Sequence, residues 1–268
     1  MLIVYADGIG TGKLLPGADQ SILFHAVGRL AALQGAGVAM VEWPASIAPI
    51  GGSQSWSDAA KIGLADIDRI LRENPAEPVV LMGYSGGCKV VHDWLDTRPQ
   101  QLERIAAVGL MSDPFRPKGR HQHGTPLPPG RGILRPRPGP IPGRTFWSAW
   151  PGDVITDCPE NSPLRTVADL SKNTPGGVLD DLGDHLHLNS WQLANYMGMW
   201  RRDPLGYLFA LPSRIAVARE GIRGYLGGEH TMVYTRPWGP ADDRRSYAHR
   251  LADTINYGLG TRGYGRKA

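Results

Sequence analysis

The sequence predicts an α/β protein built on a mostly parallel central sheet with helices on both faces. First, short apolar runs alternate with helical patterns through the N-terminal half of the chain, which is typical of parallel sheets. Second, the apolar run Val79 to Met82 passes through a turn of small residues directly into a helical pattern. Third, the chain has 268 residues and is 41% hydrophobic, which suffices for one large core with a small subdomain.

The individual elements follow from the spacing of apolar residues, because helices and strands place them at different periods. Strands are predicted at residues 2–6, 38–43, 79–82, 105–111 and 145–150, and helices at 19–34, 57–73, 88–95 and about 242–256. The segment 116–144 is rich in proline, glycine and arginine, so we expect a long loop there.

The character of the chain changes after residue 160. Helical patterns with little strand pattern fill most of residues 164–225, where aromatic side chains cluster at Trp191, Tyr196 and Trp200. We therefore expect a core formed by residues 1–160 and 228–268. Residues 161–227 are expected to form an inserted helical lid or linker subdomain.

The most informative segment is Gly83-Tyr84-Ser85-Gly86-Gly87, which fits the pattern G-x-S-x-G. A strand before it and a helix after it are the context of a nucleophile elbow. Such a turn strains the backbone at the serine and exposes its Oγ atom, and small residues on both sides avoid clashes across the turn. Ser85 is therefore the candidate nucleophile. The alternatives are a glycine-rich turn without catalysis and an elbow that has lost its activity.

A nucleophilic serine needs a base, and the base needs an acid to orient it. After an elbow of this kind the acid precedes the histidine along the chain. Asp153 follows the strand predicted at 145–150, and the carboxyl end of a strand is where the acid belongs. Asp157, four residues later, is its rival. We favour Asp153.

His230 is the preferred base among the eight histidines, because it lies in a glycine-marked loop just before the last predicted helix. The others fit less well. His25 and His92 precede the acid and are expected at helix surfaces or flanks. His121 and His123 lie in the long basic loop, and His185 and His187 lie in an Asp-His-Leu-His segment. His249 is expected inside the last helix.

The negative oxygen that forms during acyl transfer needs hydrogen-bond donors beside the serine. The backbone N–H of Gly86, the residue after the nucleophile, is expected to be the first donor. The glycine-rich loop Gly10-Thr11-Gly12 follows the first strand and is expected to supply the second. Thr11 also carries a hydroxyl group that can contribute.

Composition and motifs argue against several other functions. Lysine and arginine exceed aspartate and glutamate by 29 − 25 = 4 charges, which is too few for nucleic-acid binding without a clustered patch. Gly12-Lys13 does not complete a P-loop, because Asp7 and Leu14 stand where that motif needs glycine and a hydroxyl residue. The Asp-His-Leu-His segment lacks a convincing third metal ligand. We therefore expect no nucleic-acid partner, no metal and no organic cofactor.

The sequence also bears on where the protein acts. It contains no run of about 18 apolar residues that would cross a membrane, and its N-terminus lacks the pattern of a signal peptide. Cys88 and Cys158 are too few for a disulfide framework. We expect synthesis in the cytoplasm without a transmembrane segment, and release by some other means if the protein acts elsewhere.

Several segments, taken in order, resemble the cutinase-like serine esterases. They are Gly10–Gly17, Gly83–Gly87, Ser112–Pro114, Gly152-Asp153 and His230–Tyr234. The long helical block between acid and histidine narrows this resemblance to the Lysin B proteins of phages that infect mycobacteria. Those proteins are mycolylarabinogalactan esterases, which cut the ester between mycolic acids and arabinogalactan at lysis.

The resemblance implies an α/β-hydrolase fold and a cofactor-free serine esterase. The nucleophile, acid and base and the two oxyanion residues would be Ser85, Asp153, His230, Gly86 and Thr11. The implied substrate is mycolyl-arabinogalactan or another long-chain ester lipid of the actinobacterial cell envelope, reached from the host cytoplasm after release. A general cutinase or lipase, and a virion-associated wall-binding protein with the same fold, are the alternative functions.

The chain departs from the cutinase pattern at two places. Cutinases commonly carry glutamine after the elbow serine, where this chain has Gly86, but a backbone N–H donor does not depend on that side chain. Secreted cutinases place cysteines on both sides of the acid, whereas here Ala149 precedes Asp153 and only Cys158 follows it. We therefore expect the acid loop to be held by packing instead of by a disulfide.

Overall fold

Five parallel strands form the centre of the protein. The computed structural model describes residues 1–10, 21–47, 51–137, 141, 143–160, 162, 164–165, 168, 220–221, 223–240 and 243–261. Within these residues the sheet has the order β2-β1-β3-β4-β5, and every neighbouring pair is parallel. The strands are β1 (Leu2–Ala6), β2 (Gly37–Met40), β3 (Val79–Tyr84), β4 (Ile105–Met111) and β5 (Thr145–Ser148). The predicted α/β class and the parallel sheet are confirmed.

Helices cover both faces of this sheet. They are α1 (Phe24–Gln34), α2 (Trp56–Glu73), α3 (Gly87–Thr97) and α4 (Tyr247–Gly260). Side chains of β1 divide between the two faces, because successive residues of a strand point in opposite directions. Val4 packs in the cluster formed with α2 and α3, whereas Ile3 and Tyr5 pack in the cluster formed with α1 and α4. Burial on both faces explains why the central strands are continuously apolar.

Capping serines set two helix boundaries that the sequence pattern placed differently. Helix α2 begins at Trp56 because the Ser55 hydroxyl accepts a hydrogen bond from the N–H of Asp58. Helix α4 begins at Tyr247, after Ser246, whose hydroxyl accepts from the N–H of His249. The prediction of a last helix over about 242–256 was therefore wrong by several residues at each end. A serine side chain that satisfies a free N–H group fixes where a helix starts.

Most of the segment 161–227 lies outside the described residues, as do Trp191, Tyr196 and Trp200. Its assignment as an inserted helical subdomain therefore stays a prediction. Thr11, His185 and His187 are also outside the described ranges. Among the helices that are described, none is long and apolar enough to cross a membrane.

The carboxyl ends of four neighbouring strands meet at one edge of the sheet. Asp7 follows β1, Ser85 follows β3, Ser112 follows β4, and Asp153 lies in the loop after β5. In open α/β sheets this edge is where ligands bind.

Candidate active site

Ser85 occupies a strained turn between β3 and α3. Its φ angle is 51°, in the left-handed region that costs a residue with a side chain about 1–2 kcal/mol. Its N–H donates to the carbonyl of Met111 at 3.0 Å, so the turn is tied to the next strand. A Cβ atom on Gly87 would lie only 2.1 Å from the carbonyl oxygen of Ala6. These contacts explain the small residues around the serine and show the predicted elbow geometry.

Three side chains from distant parts of the sequence form a connected chain of hydrogen bonds. The Oγ atom of Ser85 lies 2.8 Å from Nε2 of His230. The other ring nitrogen of His230, Nδ1, lies 3.0 Å from Oδ1 of Asp153. Asp153 is fully buried and His230 is 4% exposed. The structure therefore brings together the predicted nucleophile, base and acid.

Two aromatic rings stack on the imidazole of His230. The centroid distance is 5.4 Å for Tyr84 and 4.8 Å for Tyr225. The Tyr84 hydroxyl also donates to the backbone carbonyl of His230 at 2.5 Å. These contacts fix the plane of the ring, so that Nε2 faces Ser85.

Four donors surround the carboxylate of Asp153. Besides His230, its Oδ1 accepts the N–H of Ile155 at 3.1 Å. Its Oδ2 accepts the hydroxyls of Ser112 at 2.5 Å and of Tyr234 at 2.7 Å. Burial, and then the nearby Asp153, raise the pKa of Tyr234 well above its ordinary value, which keeps this hydroxyl a donor. These four hydrogen bonds hold the carboxylate in place beside the imidazole.

Asp157, the rival acid, has a different position. Its two carboxylate oxygens accept the backbone N–H groups of Gly130 at 2.6 Å and Gly152 at 3.0 Å. One of them lies 3.9 Å from the guanidinium of Arg116. Asp157 therefore ties the acid loop to the long loop before β5, while Asp153 reaches the histidine.

Two buried arginines anchor the acid loop. Arg116 is fully buried and donates to the carbonyl oxygens of Thr156 and Gly130, each at 2.8 Å. Arg165, also fully buried, donates to the carbonyls of Pro159 at 2.8 Å and Ile133 at 3.0 Å. The expectation that packing alone holds this loop was thus incomplete, because charged hydrogen bonds carry part of that task.

The expectation for His92 was wrong. This residue is fully buried, and its Nε2 lies 3.0 Å from Oδ2 of Asp113. The indole N–H of Trp147 donates to the same oxygen at 3.0 Å. His92 lies on the side of α3 that faces the sheet, and sequence position alone does not reveal that side. His249 lies half-buried in the first turn of α4, where burial, and then the nearby Arg29 and His25, lower its pKa.

Gly86 and the first residues of the loop after β1 form the described part of the predicted oxyanion site. A Cβ atom on Gly86 would lie 2.5 Å from Cγ1 of Ile9, so Ile9 fills the space that a side chain at position 86 would need. This contact explains why glycine stands here. The N–H of Gly10 donates to the carbonyl of Ala45 at 2.8 Å and is therefore engaged elsewhere. The backbone nitrogen of Ile9 would lie 3.3 Å from a Cβ atom placed on Gly86. Thr11 lies outside the described residues, so its role in the oxyanion hole stays a prediction.

An apolar cleft opens on the triad. Its volume is about 570 Å³, and Ser85, Gly86 and His230 form part of its wall. Most of the remaining wall is hydrophobic, including Ile9, Ile22, Ile47, Trp56, Ile133 and Met232. A cleft with few polar groups beside a nucleophile suits an acyl chain better than a charged substrate.

No protein-family model and no curated protein matches the chain at significant similarity. Among solved structures, lysin B from Mycobacteriophage D29 is similar over 96% of this chain and 98% of its own, with a TM-score of 0.57 and 17% identity. An acetylxylan esterase has a TM-score of 0.45 and 19% identity over 60% of this chain and 86% of its own. A cutinase-like protein from Cryptococcus sp. has a TM-score of 0.43 and 21% identity over 74% and 90%. The chain therefore has the predicted α/β-hydrolase fold, resembling lysin B over nearly its whole length.

Proposed function

We propose that the protein is a carboxylic ester hydrolase that acts through an acyl-enzyme on Ser85. One observation carries the proposal: Ser85 Oγ lies 2.8 Å from Nε2 of His230, whose Nδ1 lies 3.0 Å from Asp153. This is the arrangement in which a histidine removes the serine proton while a carboxylate holds the ring in the required tautomer.

The reaction follows from these positions. His230 accepts the Ser85 proton as Oγ attacks the ester carbonyl, and Asp153 stabilises the imidazolium that forms. The N–H of Gly86, with a second donor in the loop after β1, stabilises the negative oxygen of the tetrahedral intermediate. His230 then gives its proton to the departing alcohol. A water molecule, activated by the same histidine, hydrolyses the acyl-enzyme and restores Ser85.

The apolar cleft supports an ester with a long acyl chain. Burial of each methylene group contributes about 0.8 kcal/mol, so a hydrophobic wall beside Ser85 favours long chains over short ones. The likeness to lysin B supports the ester between mycolic acids and arabinogalactan as the natural substrate. On this proposal the protein is made in the host cytoplasm and acts at the cell envelope during phage lysis.

The decisive experiment compares purified mycolylarabinogalactan with nitrophenyl esters of short and long acids, using the wild type and the Ser85→Ala variant. We expect the wild type to release mycolic acids and to be labelled on Ser85 by a fluorophosphonate. Turnover of nitrophenyl esters without release of mycolic acids would favour a general cutinase or lipase. Envelope binding without labelling or turnover would favour a wall-binding protein.

A further inference from the structure

We propose that Ser112 is a positioning residue that holds His230 and Asp153 in the geometry needed for ester hydrolysis; this inference rests on the proposed function. The Ser112 hydroxyl lies 2.5 Å from Oδ2 of Asp153 and 3.0 Å from Nδ1 of His230. It therefore touches both members of the pair that activates Ser85. The residue is fully buried, so it meets no substrate.

The backbone at Ser112 is unfavourable for serine. Its φ angle is 50°, a left-handed conformation that glycine adopts without strain. The turn itself is fixed by the N–H of Ser112, which donates to the carbonyl of Ser148 at 2.9 Å, and glycine would make the same bond. A strained residue that persists in a buried turn is more readily explained by its side chain, and here the hydroxyl is the only polar group that the side chain adds.

One assignment of the hydrogen bonds of this hydroxyl satisfies both Asp153 and His230. The Asp153 carboxylate accepts, so the Ser112 O–H donates to it. The Ser112 oxygen then has a lone pair free to accept the Nδ1–H of His230, which Asp153 also accepts through its other oxygen. A proton held on Nδ1 leaves Nε2 with its lone pair toward Ser85, which is the tautomer that a general base needs. Ser112 and Asp153 thus favour the same tautomer.

The test compares Ser112→Gly and Ser112→Ala with Ser148→Ala, a matched control. Ser148 is equally buried and lies at the end of the adjacent strand β5. Among the residues that the structure describes, its hydroxyl donates to the carbonyl of Tyr247, at 3.5 Å. For both Ser112 variants we expect kcat on a nitrophenyl ester to fall roughly tenfold or more, since tenfold corresponds to one hydrogen bond of ordinary strength. KM should stay within about twofold, because Ser112 does not contact the substrate.

Two further measurements separate positioning from folding. Ser112→Gly should melt at a higher temperature than Ser112→Ala, because glycine relieves the left-handed strain, and yet lose as much activity. The downfield proton resonance of the His230 Nδ1–H should shift in both Ser112 variants and stay in place in Ser148→Ala.

The outcomes distinguish this inference from the function on which it rests. A wild type that fluorophosphonate does not label, and that hydrolyses no ester, overturns the proposed function and this role with it. An active wild type whose Ser112→Gly variant keeps full kcat overturns the positioning role alone. The same holds if both Ser112 variants lose no more activity than Ser148→Ala.

Discussion

Two serines contact opposite nitrogens of the same histidine, and both have a left-handed φ angle. Ser85 follows β3 with a φ angle of 51°, and Ser112 follows the adjacent strand β4 with a φ angle of 50°. Each donates its N–H to a carbonyl of the next strand, at 3.0 and 2.9 Å. Ser85 nevertheless lies on the wall of the cleft, whereas Ser112 is fully buried beside Nδ1 of the histidine. Contact with a histidine and a strained turn are therefore insufficient to make a nucleophile.

The difference between the two serines comes from their surroundings. Ser85 is followed by Gly86 and the start of α3, and both Ser85 and Gly86 line the cleft. Ser112 is followed by Asp113 and Pro114, and its hydroxyl faces the carboxylate of Asp153. Ser85 thus faces the cleft and contacts Nε2 of His230, whereas Ser112 contacts Nδ1 and donates to Asp153. The following variants break or sharpen this contrast, beginning with the largest effect.

Ser85→Ala removes the nucleophile and should give the largest loss. We expect kcat to fall on the order of 10⁴-fold or more, with a melting temperature close to that of the wild type because the Oγ atom lies at the cleft surface. Hydrolysis of a nitrophenyl ester and thermal unfolding check both parts. Ser112→Ala is the matched comparison at the other nitrogen of the histidine, and its loss should be smaller by orders of magnitude. A Ser85→Ala enzyme with a tenth of wild-type turnover would remove Ser85 from the mechanism.

Asp153→Asn should give the second-largest loss of kcat, because Asp153 contacts both Nδ1 of His230 and the hydroxyl of Ser112. An amide at this position favours the wrong imidazole tautomer, and the corresponding loss in a serine protease is about 10⁴-fold in kcat. Asp157→Asn is the matched control from the same loop. Its carboxylate accepts two backbone N–H groups, so this variant should mainly lower the melting temperature. The reverse ranking of kcat would transfer the role of acid to Asp157.

Tyr234→Phe removes the hydroxyl that shares Oδ2 of Asp153 with Ser112, and we expect roughly a tenfold loss in kcat. The Tyr234→Phe variant should also differ from the wild type in how its stability depends on pH. The pKa of Tyr234 is raised in the folded protein, so its contribution to stability is present below about pH 10 and is lost as pH rises further. The melting temperature of Tyr234→Phe should therefore fall less steeply than that of the wild type above about pH 10.

The control for this pH effect is Tyr257→Phe, because Tyr257 is 74% exposed. Its melting temperature should follow the wild type across the same pH range. Parallel curves for all three proteins would show that the Tyr234 hydroxyl does not contribute to the alkaline loss of stability.

The sequence pattern was sufficient for the sheet and for the positions of Ser85, Asp153 and His230, because each follows a local signal. The elbow, the end of a strand and a glycine-marked loop are all visible within a few residues. Ser112 and Tyr234 were missed as partners of Asp153, since their contacts join residues 41 and 81 positions apart. Both lie in segments that carry the resemblance, Ser112–Pro114 and His230–Tyr234, but the resemblance does not say what their hydroxyls contact.

His92 and the arginines show the same limit of local patterns. A helical pattern places a histidine on a helix, but the side that faces the sheet depends on the neighbouring strands. The buried position of Arg116 likewise depends on the carbonyl groups of Gly130, in its own long loop, and of Thr156, in the acid loop 40 residues away. Long-range burial of polar groups is therefore the part of this site that the sequence did not reveal.

The smallest expected effect concerns access to Ser85 and uses Met232. This side chain lines the cleft and is 50% exposed, so its removal should leave folding intact while shortening the apolar wall. Since each buried methylene contributes about 0.8 kcal/mol, Met232→Ala should lower kcat/KM for palmitoyl nitrophenyl ester by about three- to tenfold and spare the butyryl ester. Leu127→Ala is the matched control, because Leu127 is 57% exposed and lies outside the cleft wall. Equal losses for both chain lengths would place the acyl chain elsewhere, on a part of the wall that Met232 does not reach.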